Sequence, residues 1–203
     1  GQVLSGLYKV QSRIGRGGMG TVYMAVHIHL DKPFAVKVLS DQIATNKSAI
    51  QRLLQEARTA SSIDHDNIVD VFSFDATEDG RVFLVMELLE GVSLSELVER
   101  GPMRIERALP IARQVCQALE AAHARGVVHR DLKPENIFLA QRAGEQAPVP
   151  KVIDFGIAKL ASEGVDKGLT KTGAAMGTPF YMSPEQARGA KDIDAQTDIW
   201  ALG

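Results

Sequence analysis

The sequence predicts an α+β fold in which strands dominate the first part of the chain and helices the second. Five segments before residue 90 alternate apolar and polar residues or are rich in β-branched side chains, as strands are. After Ser93 the apolar residues recur every three to four positions, which is the spacing of an amphipathic helix. We therefore expect a sheet with one accompanying helix, followed by a mainly helical part.

The predicted strands span residues 8–11, 21–26, 34–39, 68–76 and 82–87, with a turn at 77–80 between the last two. Residues 47–62 predict the helix of the first part, because their apolar residues form one stripe: Ile50, Leu53, Leu54, Ala57 and Ala60. Glu56 lies at the edge of this stripe, where acidic residues are rarely found without a partner. Lys37 on the third strand is the predicted ion-pair partner, and the alternative is a glutamate that reaches back to water.

Helices are predicted in the second part of the chain. Ser93 is the expected N-cap of a short helix. Residues 105–125 predict a long helix, which Pro110 should kink or limit in its first turns and which Gly126 should end. Residues 141–150 predict an exposed hairpin tip before a short strand at 151–153.

Composition and charge narrow the function classes. The 203 residues are 45% hydrophobic and 24% charged, as is usual for soluble globular proteins. The net charge of −2 gives no general attraction to nucleic acid or to an anionic membrane, and no apolar run approaches the ~18 residues of a membrane span. The single cysteine, Cys116, excludes an internal disulfide framework and fits a reducing, cytoplasmic compartment. It lies in the apolar pattern of the long helix and is expected to be buried.

The two ends of the sequence predict a part of a longer protein. The chain begins at Gly1 and stops at Gly203, within a helix that is predicted to start near Asp198. A membrane anchor could then lie elsewhere in the parent protein. Taken alone, the chain is expected to fold poorly over residues 127–203 and to have little activity, because so short an isolated helix is unstable in water.

A short polar stretch carries the chemistry. Asp131, Lys133 and Asn136 lie within residues 129–136, and Asp154 follows the predicted strand at 151–153. One carboxylate can accept a proton while the other, with the amide, holds a hard cation through oxygen ligands. This arrangement suits the transfer of a phosphoryl group from a magnesium-bound nucleotide.

The glycines between the first two strands form a Gly-x-Gly-x-x-Gly pattern at residues 15–20. A dinucleotide-binding fold requires a helix after this pattern, but a β-branched alternating segment follows. A P-loop NTPase requires Gly-Lys-Ser/Thr at its end, which is absent. What remains is a glycine-rich hairpin whose backbone N–H groups can approach phosphate oxygens, or else a hairpin that is merely flexible.

The order of these motifs resembles the catalytic domain of bacterial eukaryotic-like Ser/Thr protein kinases. The resemblance covers nearly the whole chain and rests on Gly-x-Gly-x-x-Gly-x-Val from Gly15, Ala-Val-Lys ending at Lys37, His-Arg-Asp-Leu-Lys-Pro-Glu-Asn from His129, Asp-Phe-Gly from Asp154 and Gly-Thr-Pro-Phe-Tyr-Met-Ser-Pro-Glu from Gly177. Ser183 stands where that family usually has alanine, a change that is expected to leave the proline turn and the glutamate undisturbed.

The resemblance implies a bilobal protein-kinase-like fold. Residues 1–89 would form a small lobe around an antiparallel sheet, and residues 90–203 a mainly helical large lobe that is incomplete. Glu87 and Leu89 would offer backbone groups to adenine, with Met86 guarding the pocket behind them. The implied cofactors are ATP and Mg²⁺, with Mn²⁺ as an alternative.

Residue roles also follow from the resemblance. Catalysis is assigned to Asp131, Lys133, Lys37, Glu56 and Thr178, and the metal to Asn136 and Asp154. In this scheme Asp131 accepts the proton of the substrate hydroxyl. The nucleotide is assigned to Ile14, Gly15, Arg16, Gly17, Gly18, Met19, Gly20, Val22, Ala35, Lys37, Met86, Glu87, Leu89, Ser93, Glu135, Asn136 and Asp154.

The implied partners are ATP and proteins that carry Ser or Thr. Thr170 and Thr172 would be autophosphorylated by self-association of two copies, and Arg130 would then contact a phosphate. Asp198 would bond the main chain beside Asp131.

Two other functions are weighed against this one. A pseudokinase scaffold typically lacks one of the residues that stand here as Lys37, Asp131 and Asp154. A small-molecule phosphotransferase with a similar fold would diverge after Asp154 and lack the block at 177–185.

Overall fold

A computed structural model describes residues 2–17, 20–40, 59, 62–77, 80–142, 144–145, 147–155, 179–190 and 192–203. Within these residues the strands are β1 (Val3–Leu4), β2 (Tyr8–Gly17), β3 (Gly20–His27), β4 (Lys32–Leu39), β5 (Val71–Ala76), β6 (Val82–Met86), β7 (Gly91–Ser93), β8 (Ile137–Ala140) and β9 (Val149–Val152). The helices are α1 (Leu94–Glu99), α2 (Ile105–His123), α3 (Pro184–Ala187) and α4 (Gln196–Leu202), with 3-10 turns at Pro134–Asn136 and Pro179–Tyr181. The predicted helix at 47–62 lies largely outside the described residues, and Thr170 and Thr172 also lie outside them.

The first sheet contains six antiparallel strands in the order β1-β2-β3-β4-β6-β5. It confirms the five predicted strands, although β5 begins later than predicted because Ile68 takes part only in an isolated bridge to Val152. One face packs around an apolar cluster: Leu4, Tyr8, Ala25, Val36, Phe83 and Val85. Burying each large apolar side chain contributes about 1.5–3 kcal/mol, so this face fixes the sheet.

The second sheet is small and joins β7, β8 and β9 in that order. The loop between β8 and β9 is the hairpin tip that the sequence predicted. Gly91 opens β7 with a φ of 146°, and a Cβ atom there would lie 2.1 Å from the carbonyl oxygen of Leu139. Only glycine permits this close approach of the two backbones. Neither β7 nor β8 was expected from the sequence pattern.

The long helix α2 presents one stripe to the interior of the second part: Ile111, Val115, Ala118, Leu119 and Ala122. It runs through Pro110 and ends near Gly126, whose φ is 73°. Cys116, which the sequence placed in the buried pattern, is exposed, so that prediction was wrong. At 100° per residue, position 116 points well away from the centre of the stripe.

The short helices follow the capping rules. Ser93 accepts a hydrogen bond of 3.1 Å from the N–H of Glu96, which confirms it as the N-cap of α1. The helix predicted to start near Asp198 appears as α4, and the short helix α3 precedes it. Among the described residues, no helix is both long and apolar enough to cross a membrane.

Candidate active site

Asp131 lies in the loop after α2, residues 127–136, here called the Asp131 loop. Its Oδ2 is 2.9 Å from the ammonium nitrogen of Lys133 and accepts a 3.2 Å bond from the amide nitrogen of Asn136. The same nitrogen donates to the main-chain carbonyl of Asp131 at 2.7 Å. The side-chain amide nitrogen of Asn136 is thereby directed at Asp131. The Oδ1 atom of Asn136 is therefore the one that can bind another partner.

His129 connects this loop to the segment that carries Asp154. Its ring is fully buried, and Nδ1 accepts a 3.2 Å hydrogen bond from the N–H of Asp131. The ring proton therefore lies on Nε2, which donates to the carbonyl of Ile153 at 2.8 Å. The ring also packs edge to face against Phe155, with 4.8 Å between the ring centroids. The two acid-bearing segments are thus joined through one imidazole.

A buried carboxylate on α4 holds the main chain of the Asp131 loop. Asp198 is 0% exposed and accepts hydrogen bonds from the N–H groups of His129 and Arg130, both at 2.8 Å. Its Oδ2 also lies 2.8 Å from Nε2 of His123. The expected contact of Asp198 with this main chain is confirmed.

Lys37 and Asp154 form an ion pair with 2.6 Å between Nζ and Oδ2. Lys37 lies on β4 with its side chain 6% exposed, and Asp154 follows β9, so the pair bridges the first sheet and the second part. The predicted Lys37–Glu56 pair lies outside the described residues, because Glu56 does. Lys37, which the resemblance assigns to the phosphates, therefore lies next to Asp154, which the resemblance assigns to the metal.

An apolar cluster adjoins this ion pair. It combines four residues that the sequence assigned to the nucleotide with their neighbours: Val22, Ala35, Met86, Leu89, Val69, Val71, Leu88 and Ile153. Met86 is 9% exposed and ends β6. In the described part of the chain, neither the carbonyl of Glu87 nor the N–H of Leu89 has a hydrogen-bond partner. Apolar side chains and two backbone polar groups thus lie together after β6.

The glycine pattern forms the hairpin between β2 and β3. Gly20 has a φ of 156°, and a Cβ atom there would lie 2.2 Å from the carbonyl oxygen of Val38. A Cβ atom on Gly17 would meet nothing within 4 Å, and one on Gly15 would reach only the Cβ atom of Val22 at 4.0 Å. Gly20 is therefore required by the sheet itself, whereas Gly15 and Gly17 border open space.

The other assigned residues occupy varied positions. Ile14 is 52% exposed and Arg16 is also exposed on β2. The hydroxyl of Ser93 is occupied by its bonds to Glu96, and Glu135 is exposed on its 3-10 turn. Gly18, Met19 and Thr178 lie outside the described residues.

Sequence reasoning missed a buried ion pair that supports the segment after β6. Lys151 is 3% exposed, and its ammonium contacts the carboxylate of Glu87 and the carbonyl of Ile68 at 3.1 Å. Glu87 also exchanges hydrogen bonds with the backbone of Asp70, at 2.9 and 3.0 Å. A lysine inside an apolar strand was the signal that could have revealed this pair.

A second missed group surrounds Ser183. Its buried hydroxyl is 2.6 Å from the hydroxyl of Thr197, and with Gln186 it forms a capping box at the start of α3. The spacing Ser-x-x-Gln is a sequence signature of this cap. The side-chain amide of Gln186 also donates to the carbonyl of Arg130 at 2.6 Å, a contact that no local pattern indicates.

Comparison with known proteins agrees with this geometry. A family model described as protein kinase domain matches residues 8–203, and the chain therefore belongs to the protein kinase domain family. This confirms the predicted family and the predicted fold, in which an antiparallel sheet is joined to a helical part.

Its relatives include bacterial serine/threonine-protein kinases. Pkn1 of Myxococcus xanthus is 46% identical over 201 residues, which cover 99% of this chain and 28% of the relative. PrkC of Bacillus subtilis is 40% identical, with 100% of this chain and 30% of the relative covered. The chain thus spans less than a third of the length of these two proteins. The crystal structure of the PknI kinase domain of Mycobacterium tuberculosis matches with a TM-score of 0.77 and 28% identity, covering 100% of this chain and 73% of that structure.

Proposed function

We propose that this chain carries the catalytic groups of an ATP-dependent protein serine/threonine kinase that acts in the cytoplasm. In this proposal residues 1–89 form the small lobe and residues 90–203 belong to the large lobe. The observation that carries it is the cluster of Asp131, Lys133 and Asn136, joined through His129 to the segment of Asp154. The names of the similar bacterial proteins support the same reaction class.

The residues present fit a nucleotide. The apolar cluster that contains Val22, Ala35 and Met86 suits a flat adenine ring, because such pockets are mostly apolar with few polar groups. The carbonyl of Glu87 and the N–H of Leu89 would bond the polar edge of adenine. Open space at Gly15 and Gly17 leaves room for backbone N–H groups to approach phosphates.

The donor set also fits magnesium. Asn136 Oδ1 and the carboxylate of Asp154 are hard oxygen ligands, and the backbone bond of 3.0 Å from Ile153 N–H to the Asn136 carbonyl keeps the two segments together. The described part of the chain contains no cluster of three or more His, Cys, Asp or Glu side chains that could hold a metal. Mg²⁺ typically needs only one or two carboxylates, because phosphate oxygens and water complete its coordination. Mn²⁺ is the alternative cation.

Magnesium-bound ATP would supply the phosphoryl group that is transferred. Asp131 would accept the proton of the Ser or Thr hydroxyl and orient its oxygen, while Lys133 would neutralise charge next to it. Lys37 would hold phosphate oxygens, with Glu56 as its second partner. Thr178 would act on the side of the site where the protein substrate binds. The chain thereby contributes mainly orientation and charge neutralisation.

The test is Asp131→Asn in the full-length protein. Loss of general-base catalysis should lower kcat by about 10²–10⁴-fold. The Kd for ATP should stay unchanged, because this carboxylate acts on the hydroxyl and not on the nucleotide. The measurements are radiolabel transfer to a Ser/Thr protein and nucleotide titration, with the exposed Asp64→Asn as control. Undiminished transfer by Asp131→Asn would contradict the role of Asp131. ATP binding without any transfer by the wild type would instead support the scaffold function.

We also propose that Thr170 and Thr172 are autophosphorylated between two copies of the protein. The supporting observation is Arg130, whose Nε is buried and has no hydrogen-bond partner among the described residues. Arginine donors of this kind suit a phosphate. Mass spectrometry of the active protein should find phosphate on one or both threonines, and replacing both with alanine should lower activity. Phosphate found only at other positions would contradict this proposal.

A further inference from the structure

The peptide bond between Arg130 and Asp131 is held at both ends by side chains. Its N–H donates to Nδ1 of His129 at 3.2 Å, and its carbonyl accepts a 2.6 Å bond from the amide nitrogen of Gln186. The preceding N–H, that of Arg130, donates to Asp198 at 2.8 Å. Side chains from three separate segments therefore fix the main chain next to the Asp131 carboxylate.

This support matters because Arg130 has a φ of 67°. The left-handed region is uncommon for residues with a Cβ atom and costs of the order of 1–3 kcal/mol. The bonds from Asp198 and Gln186 act on the N–H and the carbonyl of this same residue. Without the bond to Gln186, the peptide can turn towards a relaxed conformation and carry Asp131 with it.

Gln186 is itself held by a second set of bonds. Its Oε1 accepts from the N–H of Ser183 at 3.0 Å, and the hydroxyl of Ser183 accepts from the N–H of Gln186 at 3.4 Å. The same hydroxyl contacts Thr197 at 2.6 Å in the interior, and Thr197 precedes Asp198. The two side chains that hold Arg130 are thus joined to each other through Ser183 and Thr197.

We propose that Gln186 is a positioning residue for Asp131. Through Gln186, the orientation of the Asp131 carboxylate depends on the position of α3. The inference rests on the proposed kinase function and deepens it. The helix α3 follows the turn Pro179–Tyr181 closely, so it lies at the end of the segment that carries Thr170, Thr172 and Thr178. A displacement of α3 reaches Asp131 through the bond from Gln186 to Arg130.

The variant Gln186→Glu in the full-length protein separates this role from simple helix capping. Glutamate keeps the oxygen that accepts from Ser183, but it replaces the donor with an oxygen that opposes the Arg130 carbonyl. We expect kcat to fall by about tenfold to a hundredfold, which is the loss produced by a misplacement of about 1 Å. The Kd for ATP should not change, because the side-chain hydrogen bonds of Gln186 are to Ser183 and Arg130, and neither residue is assigned to the nucleotide.

The pH profile gives a second readout. Protonation of the introduced carboxyl group restores an O–H donor opposite the Arg130 carbonyl, and the neighbouring oxygen raises the pKa of this group above the usual glutamate value of about 4.3. The ratio of wild-type to variant kcat should therefore shrink as the pH falls from about 8 towards 5.5. The matched control is Gln141→Glu, since the exposed Gln141 also donates to a backbone carbonyl, that of Glu145 at 3.0 Å, and its kcat should equal the wild type.

Hydrogen exchange of the Arg130 and Asp131 amides completes the test and does not depend on activity. Both should exchange faster in Gln186→Glu, while the amides of β3 and β4 keep their wild-type rates. If Gln186→Glu keeps the wild-type kcat and the wild-type exchange rates, the positioning role is overturned. It is also overturned if the variant unfolds and loses kcat and ATP binding to the same extent. If the wild type transfers no phosphate, the kinase proposal fails, and the exchange rates still decide whether Gln186 holds the loop.

Discussion

The six-stranded sheet and the Asp131 loop are held in place by different forces. Apart from Lys37, the buried side chains of the sheet are hydrophobic, and Val36, Phe83 and Val85 are completely buried between paired strands. Around the loop, buried apolar side chains such as Leu132 are joined by buried polar ones. Each of these polar side chains has a hydrogen-bond partner: His129, Asn136, Ser183, Thr197 and Asp198. The sheet is held mainly by the burial of apolar side chains, whereas the loop is held by hydrogen bonds, which require particular directions between two atoms.

This difference predicts how each region responds to substitution. Apolar burial is non-directional, so a change of volume in the sheet should alter stability and leave the site geometry intact. A hydrogen bond fixes two particular atoms, and its loss in the interior leaves a partner unsatisfied at about 1–3 kcal/mol. Substitutions around the loop should therefore impair turnover even where the protein stays folded.

The largest effect is expected for Asp198→Asn. The new amide nitrogen replaces one acceptor oxygen, so the N–H of His129 or of Arg130 loses its partner at about 1–3 kcal/mol of unfolding free energy. Because the Asp131 loop then shifts, kcat should fall by about a hundredfold. Denaturant unfolding and phosphate transfer measure the two effects, with the exposed Asp194→Asn as control. Wild-type turnover in Asp198→Asn would show that this buried carboxylate does not govern the loop.

An intermediate effect on stability alone is expected for Val85→Ala in the sheet. The loss of two buried carbon atoms together with the cavity should lower the free energy of unfolding by about 2 kcal/mol. The kcat of the folded fraction should match the wild type, because Val85 belongs to the apolar cluster of the sheet and not to the cluster that contains Met86. The exposed Val98→Ala should change stability by less than about 0.5 kcal/mol. A fall in kcat for Val85→Ala would remove the distinction between the two regions.

The smallest effect concerns Tyr8, a polar group in the apolar core of the sheet. Burial, and then the charge of Asp75, raise the pKa of the Tyr8 hydroxyl. The native state keeps its proton longer than the unfolded state, so stability is complete below the ordinary tyrosine pKa of about 10 and is lost as the pH rises through the raised value. Tyr8→Phe should reduce this alkaline loss in unfolding experiments. An identical pH profile for both proteins would contradict the prediction.

Local pattern alone predicted much of the fold. Period-two alternation identified β2, β3 and β4, and the helical spacing of apolar residues identified α2, because both patterns record which face of one element is buried. Ser93 was recognisable as a cap for the same local reason. Motif order also named Asp131, Asn136 and Asp154, since each motif lies within a few consecutive residues.

Tertiary structure decided what depends on elements distant in the chain. The bond from Gln186 to Arg130 spans 56 positions, and the pair of Lys151 with Glu87 spans 64. The periodicity of residues within one helix or strand predicts neither contact, because these side chains meet only after their helices or strands have packed together. Cys116 was misjudged for a different reason: at 100° per residue it lies off the apolar stripe of α2, which the sequence alone indicates. The sequence by itself therefore determined the elements and the chemical groups, and packing determined which atoms meet.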